Sequence, residues 1–179
     1  MTKQPAQLYP GDLATAKDVR LLADRYRDAA HLLQQMGRPR DPLSRAPYRL
    51  TAIHAIELYL NALLLHRGID PGRIRGMQHD LALRTQIATS KGLQLRDRTV
   101  AHLVAVAEHR EYLVSRYGPE LARAASQINR LAATLEEVAT KVSVLIERPR
   151  QIVAGKPGAA LLEAAAGKPE RSRYADVPG

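Results

Sequence analysis

Four side chains capable of proton or phosphate chemistry recur within one stretch of this chain: Arg98, His102, His109 and Arg116. On a continuous α-helix they fall within about 40° of one another, interleaved with Val106 and Leu113. Imidazole exchanges protons near neutral pH and guanidinium matches phosphate in a planar, forked geometry. Such a face suits a phosphate ligand, or a composite site across a two-fold axis. A mixed polar and apolar face also serves as a plain dimer interface.

A second unusual stretch is AIELYLNALLLHRGI, from Ala55, which carries Glu57 and Asn61 inside the most apolar run of the sequence. On a helix, His54, Glu57 and Asn61 fall within about 60° of one another and form a narrow polar stripe. A carboxylate placed there needs a partner. Arg116 or Arg110 of a neighbouring helix is the expected one, fixing helix register, while the functional alternative is that Glu57 orients a catalytic Arg or His.

Other chemistries find no support. The chain has no Cys, so disulfides and thiolate metal sites are excluded. A di-iron bundle needs Glu-x-x-His twice, and here the order is His54-x-x-Glu57 with no second motif. AGKPG lacks the first glycine and the Ser or Thr of a phosphate loop. No arrangement supports a serine hydrolase, and no metal or cofactor is expected.

These residues must be positioned by helices. The 179 residues suit one domain with a tail. With no Trp, no Phe and seven Tyr, the core is Leu, Ile, Val and Ala, which favours an all-α fold. A formal charge of +9, with far more Arg than Lys, favours acidic partners, nucleic acid first. No apolar run matches a signal peptide or a membrane span, so a cytoplasmic protein without membrane contact is expected.

The first helix is marked by Val19, Leu22, Tyr26, Ala29, Leu33 and Met36, with Thr15 and Asp18 as a capping box and Gly37 as its stop. RPRDPLSRAPYR, residues 38–49, reads as an extended connector. A solvated linker is the plainer role for its arginines and a phosphate-binding strap the alternative. A central helix over 47–67, a turn-rich loop, a short helix capped by Asp80 and a helix over 96–117 follow. Leu121, Ala124, Ile128, Leu131, Leu135, Val138, Val142 and Leu145 then form an unbroken seam of a long last helix. Residues 1–14 are expected to be flexible and 147–179 to form a disordered basic tail.

The order of these motifs resembles the HEPN family (higher eukaryotes and prokaryotes nucleotide-binding). Ala55, Glu57, Leu60, Ala62, Leu63 and Leu64 match its central helix, His79, Asp80 and Leu81 a second element, and Arg116 with Tyr117 a third. Asn61 departs from the usual Lys, Met77 and Gln78 replace a glycine, and Gly118 separates Arg-Tyr from Pro119. The match spans about 46–146 of a bundle expected over 15–146. It implies an antiparallel bundle of four or five helices, a homodimer, and a role with RNA or nucleotides, in some members beside a nucleotidyltransferase partner.

Active members of that family are metal-independent endoribonucleases that use Arg, then four to six intervening residues, then His. Here Arg25 and His31, Arg49 and His54, Arg73 and His79, and Arg96 and His102 all fit, so the spacing discriminates little. Arg96 and His102, beside Asp97 on the late helix, are the expected catalytic pair if there is one. Arg98, His109 and Arg116 are the expected RNA- or nucleotide-binding residues, and Glu57, Asn61, His79, Asp80 and Tyr117 the orienting or structural ones. The leading expectation is a binding or interaction domain with little or no catalysis. The alternatives are an endoribonuclease, such as the toxin of a toxin–antitoxin pair, and a dimeric scaffold with no nucleic-acid role.

Overall fold

Thr15 starts the first helix as its spacing requires. Its hydroxyl accepts the Asp18 N–H at 3.2 Å while the Asp18 carboxylate accepts the Thr15 N–H at 2.9 Å, closing a reciprocal cap. The computed structural model describes residues 9–147. Within them lie seven helices: α1 Ala16–Gln35, α2 Ala46–His66, α3 Pro71–Gly76, α4 Leu81–Ser90, α5 Asp97–Glu108, α6 Glu111–Tyr117 and α7 Ile128–Glu147. Two 3₁₀ turns, Leu43–Arg45 and Pro119–Leu121, complete the order, and no strand occurs among the described residues. The expected tail over 147–179 lies outside the described residues from 148 onward.

Side-chain pairings set the topology, an antiparallel all-α bundle. Asp24 accepts a bond from the Tyr59 hydroxyl at 2.6 Å, and Tyr26 meets His54 edge to face, so α1 and α2 run in opposite directions. Arg27 pairs with Glu136 while Arg20 reaches Glu147 at 3.8 Å, so α1 and α7 do likewise. Helix α2 is central, as its all-round apolarity requires. Ala52, Ile53, Ile56, Tyr59, Leu60, Leu63 and Leu64 are all at most 2% exposed. From α7 the buried seam is Leu131, Leu135, Val138 and Val142.

Two expected helices differ in extent, and one side chain accounts for both. The helix expected over 96–117 breaks at Arg110, which adopts the left-handed conformation at φ 49°. The break turns Glu111 inward, where it is 2% exposed and accepts the Ser126 N–H at 2.8 Å and the Ser126 hydroxyl at 2.9 Å. Those bonds hold the backbone before α7 out of a helix. The last helix therefore starts at Ile128, and Leu121 and Ala124 are exposed and not part of its seam. The connector over 38–49 is also partly folded, through the turn at Leu43–Arg45.

Candidate nucleic-acid interface

The break at Arg110 disperses the face expected from Arg98, His102, His109 and Arg116. Arg98, His109 and Arg116 are exposed, with His109 at the end of α5 and Arg116 on α6, whereas His102 is 6% exposed. The Nδ1 of His102 bonds the Thr134 hydroxyl at 2.8 Å, and its Nε2 is buried without a partner. Burial holds the imidazole below its ordinary pKa of 6.5; Glu111 opposes that, and Arg130 and Arg49 add to it.

Arg96 is drawn into a separate network on α7. Glu137, 6% exposed, accepts the Arg96 N–H and Nε, each at 2.8 Å, the Thr99 hydroxyl at 2.6 Å and the Lys141 ammonium at 2.7 Å. A carboxylate from α7 thus caps the N-terminus of α5, where unpaired amides favour negative charge. Burial works against ionisation of Glu137, but the bonds from Lys141, Thr99 and Arg96 outweigh it and bring its pKa down to about 2. Arg96 and His102 therefore face different partners, Glu137 and Thr134.

Glu57 is buried as expected, but its partner is neither Arg116 nor Arg110. Its carboxylate lies 3.3 Å from Nη2 of Arg84 and 3.0 Å from Nδ1 of His79. Arg84, 2% exposed, also donates to Oδ1 of Asn61 at 2.8 Å and to the carbonyls of Ile74, Met77 and Asp80. One guanidinium thereby ties α2 to the loop joining α3 and α4, which explains why α2 keeps Glu57 and Asn61 on its polar stripe. Asp80 caps α4 through the Leu83 N–H, and the ring of His79 rests on Tyr112 at 4.6 Å between centroids. Glu57, Asn61, His79 and Asp80 are thus all engaged in contacts within the bundle.

A gathering of arginines lies elsewhere. Arg38, Arg40, Arg45, Arg49 and Arg123 line one open groove of about 470 Å³ between the connector and residues 122–129. Among the described residues Asp41 is the only acid lining the groove, and its carboxylate accepts the Ser44 N–H at 3.2 Å. A cavity of about 230 Å³ adjoins the groove, sharing Pro42, Arg49, Ala122 and Ala125 with it and adding Arg116 and Tyr117.

Arg49 stands at the junction. It is 7% exposed, its Nε is buried without a partner, and its Nη1 makes only long contacts of 3.4 Å to Glu111 and to Ser126. Glu111 sits behind it and balances its charge, while burial lowers the Arg49 pKa and the Glu111 carboxylate opposes that. Arg45 folds across Gly37, where a side chain would collide with its guanidinium, and donates to the Gln34 carbonyl at 3.0 Å. Arg40 is held left-handed at φ 62°, an unusual conformation for a residue with a side chain.

Guanidinium is a group that can meet phosphate in bidentate fashion, so a wall of them suits an anionic ligand chemically. Among the described residues neither the groove nor the cavity is lined by histidine. Among the described residues no group of three or more His, Asp or Glu is placed to hold a metal ion. In the sequence the arginines of 38–49 read as a solvated linker, with a phosphate-binding strap as the alternative, and Arg123 has no assigned binding role. The signal that pointed to them was the density of four arginines over 38–49. No helix among the described residues is long and apolar enough to cross a membrane. Comparisons with protein-family models, with curated proteins and with solved structures gave no match for this chain.

Proposed function

We propose that this protein is an RNA- or nucleotide-associated binding domain of the HEPN type that holds phosphates in the arginine groove and does not cleave them. The observation that carries the reading is the convergence of Arg38, Arg40, Arg45, Arg49 and Arg123 on one groove, where Asp41 on the wall and Glu111 behind Arg49 leave the arginines in excess. The net charge of +9 supports it as a long-range attraction for polyanions. Burial of His102 and engagement of Arg96 by Glu137 favour binding over an endoribonuclease, toxin or otherwise.

A homodimer belongs to the same reading. Leu21, Leu22, Tyr26, Leu32 and Met36 are between 37% and 69% exposed along one arc of α1, away from the buried Ala23 and Ala30. A second copy would cover that apolar arc. Light scattering of the chain with Leu22→Glu and Leu32→Glu, which shifts to half the mass if α1 is the interface, tests this part.

The binding claim is tested by fluorescence anisotropy of a labelled RNA oligonucleotide in EDTA. Binding that is lost when Arg38, Arg40 and Arg123 are changed together to Gln, with the RNA recovered intact, is the expected result. Unchanged binding in the triple variant, or cleavage in EDTA that disappears in His102→Gln, overturns it.

A further inference from the structure

The groove has a feature that phosphate recognition does not need. At its end stands Tyr117, 75% exposed, beside the cavity of about 230 Å³ whose other walls are largely apolar: Pro42, Leu43, Val114 and Pro119. Leu43 in its wall is 51% exposed, and Leu121, in the turn that begins at Pro119, is 50% exposed. Large apolar side chains left in water at the end of a cationic track cost free energy unless a ligand covers them.

We infer that this cavity receives one unpaired base, stacked on Tyr117, and hence that the ligand is single-stranded nucleic acid. The inference rests on the phosphate-binding role of the groove. Its size suits a ring system better than a larger molecule, being below the range of about 300–1,000 Å³ usual for drug-sized ligands. The two prolines fix their own φ angles, so two of the walls are stiff before the ligand arrives.

The polar requirement of a base is met by Arg49 and Arg116 alone among charged lining residues. Arg116, exposed on the cavity wall, can donate to a ring nitrogen or carbonyl oxygen of the base, and Arg49 on the shared wall joins the cavity to the groove. A strand running along Arg38, Arg40, Arg45 and Arg123 would then place backbone in the groove and a base in the cavity. This combination of electrostatic track and aromatic platform is how single strands are held, and a duplex cannot use it because its bases are already stacked.

The test uses the full chain with three probes: a labelled single-stranded oligouridylate, an RNA duplex of equal length and linear inorganic polyphosphate. The single strand should bind more tightly than the duplex. Tyr117→Ala should weaken the single strand by roughly tenfold, Tyr117→Phe should restore it, and polyphosphate affinity should not change. Tyr117 is exposed, so the variant should fold, and circular dichroism checks this. Equal binding of strand and duplex, or an unaffected single strand in Tyr117→Ala while polyphosphate still binds, overturns the base pocket alone. Failure of all three probes to bind overturns the groove as well.

Discussion

Replacing Glu137 with Gln removes one charge from the middle of the bundle while keeping its shape, and its cost can be worked from the structure. Glutamine resembles the protonated carboxyl, so the loss equals the preference of the folded state for the ionised form. Glu137 falls from an ordinary 4.5 to about 2, and at about 1.4 kcal/mol per unit that amounts to about 3–4 kcal/mol. Arg96 and Lys141 reach the carboxylate from the surface, with side chains 54% and 39% exposed, so water screens part of it and about 2–3 kcal/mol is the working figure. The sign follows from a depressed folded pKa. The stabilisation is complete above 4.5 and is lost as pH falls through 4.5 toward 2. Urea unfolding of wild type and Glu137→Gln between pH 7 and pH 2.5 reads the gap. It should be about 2–3 kcal/mol at pH 7 and shrink steadily below pH 4.5. A gap under about 1 kcal/mol at pH 7, or one that does not narrow in acid, refutes the reasoning.

Three further outcomes follow from the same contacts. Arg84→Met leaves Glu57 buried with only His79 beside it and should cost about 3–5 kcal/mol, with Glu57→Gln recovering part of the loss; a double-mutant cycle in urea shows whether the two effects are coupled. Thr15→Ala opens the reciprocal cap of α1 and should cost about 1 kcal/mol, read as a lower urea midpoint at unchanged m-value. His54 and His102 both lie below their ordinary 6.5, burial being the largest cause in each, so the unfolded chain binds more protons in acid. Stability should decline as pH falls below about 6.5, and changing both to Gln should flatten that decline.

Local signals were legible in the sequence and tertiary ones were not. The caps at Thr15 and Asp80 depend on residues three positions away, so their helices begin where the spacing places them. The stripe of His54, Glu57 and Asn61 showed that Glu57 needed a partner, but an Arg-rich sequence offers many. Arg84 was chosen by the loop that joins α3 and α4 to α2. The apparent face of Arg98, His102, His109 and Arg116 assumed an uninterrupted helix. What interrupts it is Glu111 reaching Ser126, fifteen residues on, and Arg49, sixty-two residues back. The groove was hidden for the same reason: its arginines come from a connector and from residue 123, and only folding brings them to one wall.

The most direct test of a phosphate-binding groove is the salt dependence of RNA affinity. For a single strand, each phosphate neutralised contributes about −0.7 to the slope of log K against log salt concentration. If Arg38, Arg40 and Arg123 each neutralise one phosphate, changing them singly to Gln should flatten the wild-type slope by about 0.7 each, and Lys91→Gln, outside the groove, should leave it unchanged. Equal slopes for wild type and all three groove variants would contradict the account.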